Sequence, residues 1–221
     1  MKRFALPFFL LTLSLTPLSN TFSQSSYQIH IGPSFALSDY GVYPIHTPDR
    51  DYYASGAMGI DAGFQYTYQW SEIGFGVYAS ADFIVSRVNE DWVNKCYELT
   101  FYWDLKELPV YLYLPLSGGL SYTYKASKLF SLTGHVGMTY NRLKVTDNMW
   151  ENCNRETDWT SGFGIKAGAG ILLWGRLPLT VNYLGLGKHQ IVERLIQAVD
   201  PWVHNYEIDV HLLTVTTGWV F

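Results

Sequence analysis

The sequence predicts an all-β fold: one closed, antiparallel barrel of eight strands that crosses a membrane, with long outer loops and short periplasmic turns. Three observations predict it. The first is an inverted strand pattern. From Ala57 to Gln69, one face carries Met58, Ile60, Ala62, Phe64, Tyr66 and Tyr68, and the other carries Gly59, Asp61, Gly63, Gln65 and Thr67. Successive side chains of a strand point to opposite faces, so bulky apolar groups gather on one side and small or polar groups on the other. A narrow barrel with its small face inside must present the bulky face to lipid. The second is a regular alternation of short and long connections. The third is a cluster of aromatic residues at one set of strand ends.

The strands follow in order. The first, near Tyr27–Leu37, sets Tyr27, Ile29, Ile31, Phe35 and Leu37 against Gln28, His30, Gly32, Ser34 and Ala36. The second is Ala57–Gln69. The third, Ile73–Ser86, has Phe75, Val77, Ala79, Ala81, Phe83 and Val85 on its apolar face. The fourth, Leu108–Tyr124, is apolar or small at its even positions. The fifth, Leu129–Asn141, sets Phe130, Leu132, Val136, Met138 and Tyr140 against polar residues including His135 and Asn141. The sixth, Ser161–Leu173, alternates Phe163, Ile165, Ala167 and Ala169 with Gly162, Gly164, Lys166 and Gly168. The seventh, Pro178–Lys188, is weaker. The eighth, Tyr206–Phe221, changes phase at Leu212-Leu213, which predicts a β-bulge there.

Connections at Gln69–Glu72, Lys125–Lys128 and Trp174–Leu177 are tight. Those at 38–55, 87–107, 142–160 and 189–205 are long and hold most of the charge. Short turns on the periplasmic side and long loops outside the cell are the asymmetry of outer-membrane barrels, and an even strand number then puts both termini in the periplasm. The turn-side ends carry Tyr27, Tyr66, Tyr68, Trp70, Tyr122, Tyr124, Phe130, Trp174, Trp219 and Phe221. Amphipathic rings favour the membrane–water boundary, so these residues form a predicted girdle.

Composition agrees. Charged residues are 15% of the 221, against roughly 25% in soluble domains, while the chain has 17 Tyr and 8 Trp. No segment after the N-terminus approaches the ~18 apolar residues of a spanning helix. Residues 1–23 read as a cleavable export signal: Lys2 and Arg3, an apolar run from Phe4 to Leu18, then small Thr21 and Ser23 before a cut at Gln24. Residues 24–221 form the barrel domain. Cleavage leaves 13 Lys+Arg against 19 Asp+Glu, a net charge of −6, which argues against nucleic acid as a partner. Two cysteines, Cys96 and Cys153, in an exported chain predict a disulfide that staples two outer loops together.

The inward polar residues concentrate in the loop-side half: Asp61, Asp82, Tyr111, Asn141, Lys166, Lys188, Glu207 and Asp209. Buried charges must pair, so Lys166 is predicted to meet one or more of Asp61, Asp82 and Asp209. His30 and His135 fall on inward faces, and His46, His189 and His204 in loops. No pair shows the tight spacing of metal ligands, so no metal site and no cofactor are predicted. The run Ile191–Val199 has helical spacing before Pro201.

On the hairpin rhythm, on Leu108-Pro109-Val110-Tyr111-Leu112-Tyr113-Leu114 and on terminal Phe221, the whole mature chain resembles the small eight-stranded outer-membrane β-barrels, OmpX-like and OmpA-transmembrane-like, of the porin-like outer-membrane β-barrel family. The resemblance implies residence in the outer membrane, contact with its lipid, and recognition of the last strand by the barrel-assembly machinery. Trp219 and Phe221, with Leu213 and Val215, match that insertion signal. Some relatives modify lipid A through adjacent Ser and His, and no such pair stands at the loop end here. The expectation is a non-enzymatic barrel that acts through disulfide-braced outer loops on an unknown protein or surface ligand, or that serves as a subunit of an envelope complex. A lipid A-modifying enzyme and a narrow channel are the alternatives.

Overall fold

The computed structural model describes residues 24–37, 56–70, 74–88, 110–146, 155–195 and 203–221. The proposed signal, Cys96, Cys153 and His46 lie outside these residues. Nine strands follow in chain order: β1 (Gln24–Leu37), β2 (Gly56–Gln69), β3 (Phe75–Val88), β4 (Val110–Lys125), β5 (Phe130–Val145), β6 (Arg155–Thr157), β7 (Thr160–Leu173), β8 (Leu177–Leu195) and β9 (Val203–Val220). Eight of them close a barrel of neighbouring antiparallel strands, sealed by β1 against β9 and by β8 against β9. β6 pairs with the end of β8 above the start of β7.

The pairing is strongly staggered. Starting at Ser26 and stepping across Thr67, Tyr78, Gly119, Gly137, Lys166, Leu184 and Leu212 returns to β1 at Ala36, ten residues further on. Such shear tilts the strands and fixes a bore that side chains alone can fill.

The outside is apolar along most of its height. Ile29, Ile31, Phe64, Phe83, Leu116, Leu120, Val136, Met138, Phe163 and Ile165 are all exposed. In water such a band would be an extreme liability, whereas in a bilayer it is the stabilised surface. At the end holding the chain termini, Tyr27, Trp70, Tyr122, Tyr124, Trp174, Trp219 and Phe221 are exposed, and Tyr66, Tyr68 and Phe130 are half-buried. Their rings meet in pairs, Tyr27 with Tyr66 at 5.1 Å and Phe75 with Tyr122 at 4.8 Å.

At the loop end the pattern reverses. The outward positions turn charged: Arg87 on β3, Arg142 and Lys144 on β5, Lys188 on β8, Asp209 and Glu207 on β9. The inward positions between them turn apolar: Leu143, Val145, Ile191, Ile208 and Val210. About 9–11 residues suffice for a tilted strand to cross a bilayer, yet β5 has 16, β8 has 19 and β9 has 18. The excess forms a rim above the apolar band, built like a soluble barrel.

Four sequence expectations change here. Lys188, Glu207 and Asp209 lie on the outer face, not in the lumen. Lys188 donates to Glu207 at 2.8 Å with both side chains largely in solvent, and Asp209 stands 3.3 Å from outward His211. The bulge is not at Leu212-Leu213 on β9. The register shift falls on β8 between Gly185 and Gly187, and β9 keeps Ile208, Val210, Leu212, Thr214 and Thr216 inward without interruption. His189 and His204 stand in strands β8 and β9 rather than in a loop, and His189 is fully buried. Ile191 to Leu195 continue β8 instead of opening a helix, because Ile191 pairs with Tyr206 and points into the core. Residues 196–199 of that run lie outside the described residues.

The bulge depends on Gly187, whose φ is +84° and whose missing Cβ leaves room for the Phe163 backbone. A side chain there is strained by its backbone and by contact at once, so Gly187→Ala should destabilise the folded barrel by roughly 1–3 kcal/mol. The shift of the heat-unfolding midpoint in detergent measures it. The Lys188–Glu207 pair, in contrast, is exposed, and Glu207→Gln should leave that midpoint unchanged.

Candidate functional site

The lumen has two storeys. The lower one is a polar cavity of about 340 Å³ that opens at the terminal end and is walled by Gln28, Gln65, Thr67, Ser121, Thr133 and Thr180. Strand positions at this level are small where the alternation points inward, as at Gly76, Gly170 and Gly218, which pair with Gln69, Thr133 and His30. The upper storey is closed by packed side chains: Ile84, Tyr111, Tyr113, Leu143, Val145, Leu184, Leu186, Ile191, Ile208, Val210 and Leu212 are all buried. Tyr111 and Tyr113 stack at 6.3 Å within it. His189 and Asn141 are enclosed with them, the Asn141 amide 3.2 Å from His189 Nε2.

Between the storeys lies a layer of buried charge. Lys166 on β7 reaches across to β3, because the intervening inward positions on β5 and β4 are Gly137 and Gly119. Its Nζ donates to Asp82 Oδ2 at 2.7 Å and to Ser80 Oγ at 3.0 Å. Ser80 Oγ donates in turn to Asp82 Oδ2 at 3.3 Å. The pairing predicted for Lys166 is therefore made with Asp82. Asp209 takes no part in it, since it stands on the outer face. On the other side of Asp82, His30 Nε2 lies 2.9 Å from Oδ1. The two meet across Gly63, their shared neighbour on β2, where a Cβ would come within 2.5 Å of Asp82 Oδ1 and 2.7 Å of His30 Nε2. Asp61, also inward and buried, is hydrogen-bonded to Thr214, which receives the Asn182 amide at 3.1 Å.

A glycine window of the same kind recurs. Gly168 sits between His135 and Asn182, and the two side chains close over it. Gly162 sits opposite Asn141, against the ring of His189. In each case a strand without a side chain lets its two neighbours approach each other across it.

Of the predicted interior residues, Asp61, Asp82, Tyr111, Asn141 and Lys166 are inside, and the layer joins Asp61, Asp82 and Lys166 into one cluster with His30. Tyr111 and Asn141 belong to the upper storey. The apolar upper core was not foreseen. Its signal was present, since charge alternates with apolar residues in Arg142-Leu143-Lys144-Val145 and Glu207-Ile208-Asp209-Val210.

The family model of the outer membrane protein beta-barrel domain matches residues 8–221. The chain belongs to that family. Solved structures agree on the fold of this outer-membrane barrel. Neisserial surface protein A is 10% identical, with a TM-score of 0.53 over 90% of this chain and 97% of that one. OprG from Pseudomonas aeruginosa is 14% identical, with a TM-score of 0.53 over 90% and 97%. A major outer membrane protein from Thermus thermophilus is 13% identical, with a TM-score of 0.51 over 90% and 99%. A search of curated proteins finds no match to this chain.

Proposed function

We propose that this outer-membrane barrel is non-catalytic and acts through its long loops, as a surface-binding protein or as a barrel subunit of an envelope complex. One observation carries the reading. The lumen is filled above the charged layer by close-packed apolar side chains, so the described residues leave no wet path from end to end. Activity is then left to the outer rim and to the segments it carries. In this reading the termini and the girdle face the periplasm, and the rim and loops face outward. Cys96 and Cys153 pair to brace the second and third loops, which would stabilise the folded chain by roughly 3–4 kcal/mol in the chain-entropy model. The lipid bilayer and the assembly machinery are its general partners.

Replacing residues 89–109 and 147–154 by short Gly/Ser turns tests the proposal. The barrel should still fold, and proteins that co-purify with the unaltered chain in mild detergent should be lost. A co-purifying set indifferent to the loops, a change in lipid A mass caused by the barrel, or ion steps in a planar bilayer would each oppose it.

A further inference from the structure

We infer that His30, Asp61 and Asp82 form a binding site for a divalent first-row transition metal ion in the middle of the lumen. Three side chains from three adjacent strands converge there, one imidazole and two carboxylates, with candidate ligand atoms all within 4.8 Å of one another. The three residues are at most 4% exposed. His30 Nε2 and Asp82 Oδ1 meet each other at 2.9 Å, whereas Asp61 Oδ1 has no hydrogen-bond partner among the described residues. Buried polar atoms are normally satisfied, so the unpartnered Asp61 oxygen beside that pair asks for a partner that the three side chains can share.

The surroundings suit a cation. Asp82 divides its work: Oδ2 is held by Lys166 and Ser80, while Oδ1 is turned toward His30. Thr214 holds Asp61 in the same way. Such outer hydrogen bonds are what orient the ligands of built metal sites. Two carboxylates face a single ammonium, so the cluster keeps negative charge for an incoming ion. One nitrogen and two oxygens match zinc, cobalt, manganese or ferrous iron rather than the soft copper(I) or the all-oxygen calcium sites. Bonds of about 2.0–2.2 Å place ligand atoms about 3–3.5 Å apart, so side-chain rotation must draw the widest pair together by an ångström or more. His30 also lines the vestibule, which supplies both the entry path and room for a water as a further ligand.

The test uses the full mature chain, refolded in detergent and stripped with a chelator, with Cys96→Ser and Cys153→Ser removing the thiols. Cobalt(II) alone is titrated and read by its visible absorption. One ion per barrel is expected, with affinity falling at least tenfold in His30→Gln and in Asp61→Asn and unchanged in His135→Gln. No saturable binding, or binding indifferent to His30→Gln and Asp61→Asn, would overturn the site. Should those variants not fold, X-ray absorption of zinc(II) on the otherwise unaltered barrel decides. A shell of light atoms with one imidazole supports the site, and two or more imidazoles refute it.

Discussion

Lys166→Met should lower the stability of the folded barrel by about 3–5 kcal/mol, the cost of removing one partner of a buried ion pair. The size follows from what remains. Asp82 keeps its place in a lumen sealed above by apolar side chains, and its Oδ2 loses the 2.7 Å bond to Nζ. Ser80 stays beside it but carries no charge. Methionine matches the length of the lysine stem, so the loss is electrostatic rather than steric. Heat-modifiability on gels reports it: the folded band should convert to the unfolded one at a distinctly lower temperature. Undiminished heat resistance would count against the pairing as a stabilising element.

The second large effect belongs to the apolar storey. Tyr113→Ala should cost about 3–5 kcal/mol and Leu143→Ala about 2–5 kcal/mol, because both side chains are wholly buried and the closed strands cannot collapse around the void. A function-level consequence accompanies the thermodynamic one. Removing Tyr111, Tyr113 and Leu143 together should join the vestibule to the loop end, so that a planar bilayer silent with the unaltered barrel shows discrete ion steps. A barrel equally heat-stable after Tyr113→Ala, or equally silent after the triple substitution, would mean that the storey is not the seal.

Most of the fold was legible because one rule covers the membrane zone. Within it, lipid outside and a narrow bore inside force a two-residue period, and the aromatic ends fix its limits. The rule ends where lipid ends. Above that level water wets the outside, and the same alternation reads the other way, with Lys144 and Asp209 out and Leu143 and Val210 in. Carrying the membrane rule upward put Asp209, Glu207 and Lys188 in the lumen and required a bulge at Leu212-Leu213 that β9 does not have. The actual bulge, at Gly185–Gly187, was masked by the weak pattern of β8. The charged layer was half-visible. The short connection between β2 and β3 brings Asp61 near Asp82, but His30 joins them through a strand pairing whose connection is long, so no sequence spacing reveals it. The glycine windows are invisible in one dimension, because their meaning lies in which neighbours they separate.

At the centre of the fold, β5 passes from lipid to water between Tyr140 and Arg142, while its inner face from Thr139 to Val145 meets neither. Spin labels placed singly from Leu132 to Val145 in reconstituted vesicles, with the native cysteines replaced, read this from their access to oxygen and to a water-soluble relaxant. Oxygen should dominate at Leu132, Val136, Met138 and Tyr140, the water-soluble reagent should take over at Arg142 and Lys144, and Leu143 and Val145 should be shielded from both. Oxygen exposure at Leu143 and Val145, with Met138 shielded, would contradict the account.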